Sequence, residues 1–143
     1  MKFIIFTDGG SRGNPGPAAI GAIFQNAKGE AIKKYGETIG EATNNQAEYR
    51  AAIFALKKAK QLFGKKKIGA MEFELRLDSD LVVQQLNHRY KIKEPELQPL
   101  FLEIWNLLID FGPVKFVYIP REQNFEADRL VNQALDSEQG NLF

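Results

Sequence analysis

Cysteine is absent from the 143 residues and histidine occurs once. Without thiols there is no disulfide framework, no thiolate zinc site and no cysteine nucleophile. Nor does any apolar run approach the ~20 residues that a membrane span requires, so no membrane partner is expected. The opening MKFIIFTDGG meets a glycine pair too soon for a secretory leader, and a reducing, cytoplasmic setting is the expectation. Neither sign of charge dominates: 19 Lys and Arg against 18 Asp and Glu leave +1. That is too little for the global field that draws many proteins onto phosphate backbones. Contact with nucleic acid would therefore rest on local patches. KKAKQLFGKKK (Lys57 to Lys67) is one, and HRYKIK (His88 to Lys93), with Tyr90 set among Arg89, Lys91 and Lys93, is another. A merely solvated charged face is the competing reading of both.

The length suits one domain with a core of its own. KFIIFTD (Lys2 to Asp8) reads as an apolar strand stopped by Gly9 and Gly10, AAIGAIFQ as a second strand, and AIKKYGETIG (Ala31 to Gly40) as a third, together an antiparallel meander. A helix follows from Asn44 to about Phe63: Thr43 and Gln46 form a capping-box signature, and Gly64 is its stop. Alternation in MEFELRLD (Met71 to Asp78) gives a fourth strand, feeding a short helix from Leu81 to about Leu86. Helical spacing then runs from Pro95 to Asp110, VKFVYI (Val114 to Ile119) is the last strand, and a helix covers Asn124 to about Leu135. The order β-β-β-α-β-α-α-β-α implies an α/β fold, a mixed five-stranded sheet flanked by helices.

Four acids stand out. Asp8 closes the first strand and Asp78 the fourth, and in open α/β sheets ligands gather beyond the carboxyl ends of strands. Either could instead be a turn residue. Glu48 shares its helix face with Ala51, Ala52, Ala55 and Leu56, and Asp128 shares its own with Ala127, Val131 and Ala134, so both acids face inward unless a Lys or Arg pairs with them. Converging carboxylates repel by roughly 4 kcal/mol per close pair at an effective dielectric of 20. A divalent cation is the simplest remedy, and oxygen-only ligation suits Mg²⁺, with Mn²⁺ as the alternative. Two such ions would fit phosphodiester chemistry. Gly9, Gly10 and Gly13 would let backbone approach a ligand closely, and Asn14, Asn44 and Gln46 offer donors and acceptors.

TDGGSRGNPGP (Thr7 to Pro17), TNNQAEYRAAIFAL (Thr43 to Leu56), LDSDLVV (Leu77 to Val83) and REQNFEADRLVNQAL (Arg121 to Leu135) together resemble the type 1 ribonuclease H family, in the family's order and over nearly the whole chain. The resemblance implies a ribonuclease H-like fold over residues 1–136. It carries the family's metal-coordinating acids onto Asp8, Glu48, Asp78 and Asp128. It also implies endonucleolytic hydrolysis of the RNA strand of RNA/DNA hybrids with Mg²⁺ or Mn²⁺, leaving 5′-phosphate and 3′-hydroxyl ends. The ligand expected at Gly9, Gly10, Gly13, Asn14, Asn44 and Gln46 is then a nucleic-acid strand, a ribonucleotide one with its 2′-hydroxyls. Positions matching Asn14 and Asn44 touch nucleic acid in the family, and that of Thr43 helps to hold a DNA phosphate; turn formation and helix capping are their structural alternatives.

Three features depart from the family's pattern. Many bacterial members carry a loop histidine before the last helix, where this chain reads YIPREQN. Arg121 could hold a phosphate there but not act as a base, and Glu122 is the titratable neighbour. Asp80 stands where some members place a glutamine, and capping of the next helix is its expected role. The segment Asn87 to Pro99 is too short for the large basic handle of some relatives. A catalytically silent hybrid-binding module is the rival expectation, which the presence of all four acids disfavours. Residues 137–143 read as a tail in which Gln139, Leu142 and Phe143 resemble the Q-x-x-L-F pentapeptide that docks on the bacterial sliding clamp. A monomer is expected.

Overall fold

Alternation governs the strands. In β4 (Glu72–Leu77) Phe73, Leu75 and Leu77 are buried while Glu72, Glu74 and Arg76 are half-exposed, the two-residue period of a strand covered on one face. The computed structural model describes residues 1–140. Its sheet has the order β3-β2-β1-β4-β5. The antiparallel meander consists of β1 (Lys2–Ser11), β2 (Gly16–Asn26) and β3 (Ala31–Ala42). β4 lies parallel to β1, and β5 (Val114–Tyr118) parallel to β4. The mixed five-stranded sheet expected from the pattern is the one observed.

Helix α1 (Asn44–Phe63) forms where expected: the Thr43 hydroxyl accepts from the Gln46 N–H at 3.1 Å, and the Thr43 N–H donates to Gln46 Oε1 at 2.8 Å. Its end at Gly64 has φ 88°, a left-handed backbone that suits glycine. A one-turn helix α2 (Lys65–Ile68), not expected from the pattern, follows at once. Then come α3 (Asp80–Leu86), α4 (Gln98–Leu108) and α5 (Phe125–Gly140). α4 starts three residues later than the apolar spacing suggests, because Leu97 first closes a turn onto Glu94 and Pro99 takes the first helical turn. α5 runs to Gly140, so residues 137–140 continue the helix; Leu142 and Phe143 lie outside the described residues. Among the described residues no helix is long and apolar enough to cross a membrane.

Alternate residues of β2 send the two helical layers to opposite faces. Ala22 and Phe24 belong to the main core with Tyr49, Ala52 and Leu56 of α1. Ala19 packs with Val131 and Leu135 of α5. α5 lies so close that a Cβ at Gly21 would fall 2.5 Å from the Ala127 carbonyl oxygen. The main core is thickest near the start of β1 and β4, where Phe3 packs on Phe63 with ring centres 4.8 Å apart and Phe73 meets Phe111 edge-on at 5.5 Å.

Candidate active site

The parallel ladder of β1 and β4 ends with Phe6 opposite Arg76, and both strands then present an acid. Asp78 follows directly on β4. Asp8 does not close its strand, as its position before two glycines suggests: β1 continues to Ser11 along β2, with Asp8 opposite Gly21. What stops at this level is the pairing with β4. The third acid comes from α1, which Gly9 admits, since a Cβ there would lie 2.1 Å from the Ala47 carbonyl oxygen. The space at this buried glycine, expected to serve a nucleic-acid strand, is taken by α1. The Gly9 N–H donates to Glu48 Oε1 at 3.1 Å, and Oε2 is buried without a partner.

Asp8, Glu48 and Asp78 thereby bring one carboxylate oxygen each within 4.8 Å of one another. Asp8 and Glu48 are buried and Asp78 is half-buried. Asp128, on the first turn of α5, is half-buried, lines the same cleft of about 530 Å³ and accepts from Asn132 Nδ2 at 3.3 Å. It stands outside the close trio, at the rim rather than in the interior that its apolar neighbours suggest.

The charges are poorly compensated. Burial pushes the Asp8 carboxyl far above the ordinary range, and the charge of Glu48, a hydrogen bond with it, and the charges of Asp78 and Asp128 add to the shift. Glu48 is also raised, first by burial, against the hydrogen bond from Asp8. Asp78 is raised by burial although the Asn124 amide and the Arg121 guanidinium pull it down. Arg121 is the cation that the sequence reading underrated: it lines the cleft and acts on both Glu48 and Asp78. The residues fit a divalent cation by direct observation: three converging oxygens, no soft donor, and the orphaned Glu48 Oε2.

The remaining expected residues divide. Asn14 Oδ1 accepts from the Asn44 N–H at 2.9 Å, and Asn44 Oδ1 accepts from the Ser11 N–H at 3.0 Å, which fixes the cleft-side loop and leaves two exposed asparagines offering amide donors. Thr43 and the Gln46 carbonyl oxygen are spent on the helix cap. Gly10 lines the cleft; Glu122, exposed on the 3₁₀ turn Arg121–Gln123, does not. Asp80 is not the helix cap: Ser79 accepts from the Val82 N–H, and Asp80 accepts from Gln84 one turn on. In the first basic patch Lys57 pairs with Glu103 at 2.9 Å and Lys60 with Asp110 at 2.7 Å, as a solvated face would. In the second, His88 stacks on Trp105 with ring centres 5.5 Å apart, beside exposed Arg89, Tyr90, Lys91 and Lys93. Asn45, Arg12, Asn132 and the buried Asn124 belong to this region without having stood out in the sequence; an asparagine just before a helix reads as an ordinary cap.

A family described as reverse transcriptase-like matches residues 6–134. A ribonuclease H of Dechloromonas aromatica is 30% identical over 150 aligned positions that cover 95% of each chain. The chain belongs to the type 1 ribonuclease H family. A bifunctional protein of Mycobacterium tuberculosis is 42% identical over 138 residues, which are 96% of this chain and 36% of that protein. The chain thus spans about a third of the length of the first curated relatives it matches. Among solved structures, the compost-derived LC11-RNase H1 in complex with an RNA/DNA hybrid is 46% identical, with a TM-score of 0.91 over 96% of this chain and 99% of that one.

Proposed function

We propose that the protein is an endoribonuclease that hydrolyses the RNA strand of RNA/DNA hybrids, leaving 5′-phosphate and 3′-hydroxyl ends, with Asp8, Glu48, Asp78 and Asp128 holding two divalent cations, Mg²⁺ or Mn²⁺. The observation that carries the reading is the convergence of one carboxylate oxygen each of Asp8, Glu48 and Asp78 within 4.8 Å of one another, with Glu48 Oε2 buried and without a hydrogen-bond partner. The hybrid-bound relative, alike over nearly its whole length, supports the substrate. Cations bound here supply an activated water and stabilise the leaving oxygen. The protein's own groups do the rest. Asp128 at the rim completes the ligand set from α5, and Arg121 offers a fixed positive charge to a phosphate without exchanging a proton. Asn44 and the backbone at Gly10 line the cleft, with Asn14 bonded to Asn44 and the Thr43–Gln46 cap starting the same helix; in this reading these residues meet the 2′-hydroxyls and phosphates of the hybrid's minor groove.

Incubation with a labelled hybrid in Mg²⁺, in Mn²⁺ and in chelator tests the reading, with Asp8→Asn alongside. Cleavage of RNA only, metal-dependent and lost in the variant with hybrid binding retained, is the expected result. Hybrid binding without cleavage in either metal would favour the silent module. The protein acts as a cytoplasmic monomer in this reading. Its terminal Gln139, Leu142 and Phe143 dock on a sliding clamp, and removal of the last two residues is expected to abolish clamp binding and spare cleavage.

A further inference from the structure

Parallel strands bond at even spacing, and β1 and β4 do so until Phe6 meets Arg76. Beyond that rung β4 turns towards the other side, where the Ile119 N–H donates to the Leu77 carbonyl at 2.9 Å. The Thr7 carbonyl is left facing the gap, and a side chain fills it. Asn124 Nδ2 donates to Thr7 O at 2.8 Å and to Asp78 Oδ2 at 3.0 Å. A primary amide has two hydrogens, and here one goes to the residue before Asp8 and the other to Asp78 itself. Asn124 is 1% exposed, and its own carbonyl accepts from the Asp128 N–H at 3.1 Å. One residue therefore touches the mountings of three of the four acids.

We infer that Asn124 is a positioning residue of the carboxylate cluster: its amide replaces the missing rung between β1 and β4, fixes Asp8 relative to Asp78, and by occupying Oδ2 leaves Oδ1 of Asp78 for a cation. The inference rests on the metal-dependent reading given above. Groups that orient ligands from behind change metal affinity by about 10–100-fold when lost. A residue that only capped α5 would change stability and leave metal affinity alone.

The test is calorimetric titration of the metal-free protein with Mn²⁺ alone, beside hybrid cleavage at rising Mn²⁺. Asn124→Ala is expected to weaken Mn²⁺ binding and to raise the metal concentration for half-maximal cleavage by about 10–100-fold, with KM for the hybrid near that of the wild type. Phe73→Leu, in the core beneath the opposite end of the sheet, lowers the Tm and moves neither midpoint. If Asn124→Ala does not fold, Asn124→Ser takes its place; a single hydroxyl hydrogen serves one of the two acceptors, and an intermediate shift is expected. A folded variant that melts lower yet binds Mn²⁺ like the wild type overturns the positioning role and leaves the proposed activity standing. Wild-type protein that neither binds Mn²⁺ nor cleaves the hybrid overturns both.

Discussion

At their N-terminal ends β1 and β4 are laddered residue against residue beneath Phe63 and Phe111, whereas at their C-terminal ends the same two strands part around a pair of acids. Charge follows the same division. At the first end Glu74 faces Lys2 at 3.4 Å and Arg76 at 2.7 Å; burial pulls its carboxyl up, but these cations hold it below the ordinary range. At the second, Asp8, Glu48 and Asp78 are all raised, and Arg121 acts against the charge of Glu48 and Asp78 without overcoming their burial. One end of the sheet is locally consistent and the other is frustrated. Packing at the first offsets repulsion at the second, and the frustrated end is where a bound cation adds most to stability.

The sharpest way to break this comparison is to exchange the variants' effects. Asp8→Asn removes a carboxyl that is ionised in the unfolded chain but driven to take up a proton on folding, so hybrid cleavage should fall to the level of a protein-free control while the metal-free protein gains thermal stability at neutral pH. A stability loss would mean that the acids are already satisfied. Phe73→Ala at the opposite end should cost about 3–5 kcal/mol in denaturant unfolding and leave the cleavage rate per folded molecule unchanged.

A smaller effect concerns pH. Asp8 and Glu48 hold protons more tightly in the folded than in the unfolded chain, so the stability that protonation lends is complete below about pH 4 and is lost as pH climbs through their raised values. The Tm of the metal-free protein should therefore decline between pH 5 and 8, about neutrality included, and saturating Mg²⁺ should flatten the decline. A Tm that rises over this interval would contradict the assignment. Glu74 and Asp110, both lowered, act in the other direction and only in acid. Asp110 owes its shift first to the hydrogen bond from Lys60. Smallest of all, Lys57→Ala should change stability by less than about 1 kcal/mol and hybrid affinity not measurably, because its partner Glu103 is solvated too. A drop in hybrid binding would restore this patch as a nucleic-acid surface.

The strands and α1 were legible because their signals are local: alternation in β4, the reciprocal cap of Thr43 and Gln46, the stop at Gly64. The inward acids were legible for a related reason, since Glu48 stands on an otherwise apolar face. What stayed hidden depends on neighbours distant in the chain. Asn124 bonds residue 7 and residue 78, Arg12 reaches Asp136 at 2.6 Å, and Gly9 makes room for α1; no window of sequence contains these pairs. Asp128 illustrates the limit from the other side, since helical periodicity gave its face but not its depth.

The close seating of α5 over Gly21 has a consequence for the protein's birth. The helix leaves the ribosome after the other described elements, and it carries Asp128 and follows directly on Asn124. A nascent chain can pack Glu48 against Asp8 once α1 has emerged, yet its cleft lacks one wall and one rung until the final helix settles. A chain cut short before Asn124 therefore keeps Asp8, Glu48 and Asp78 without the residue that bridges β1 and β4 and without Asp128.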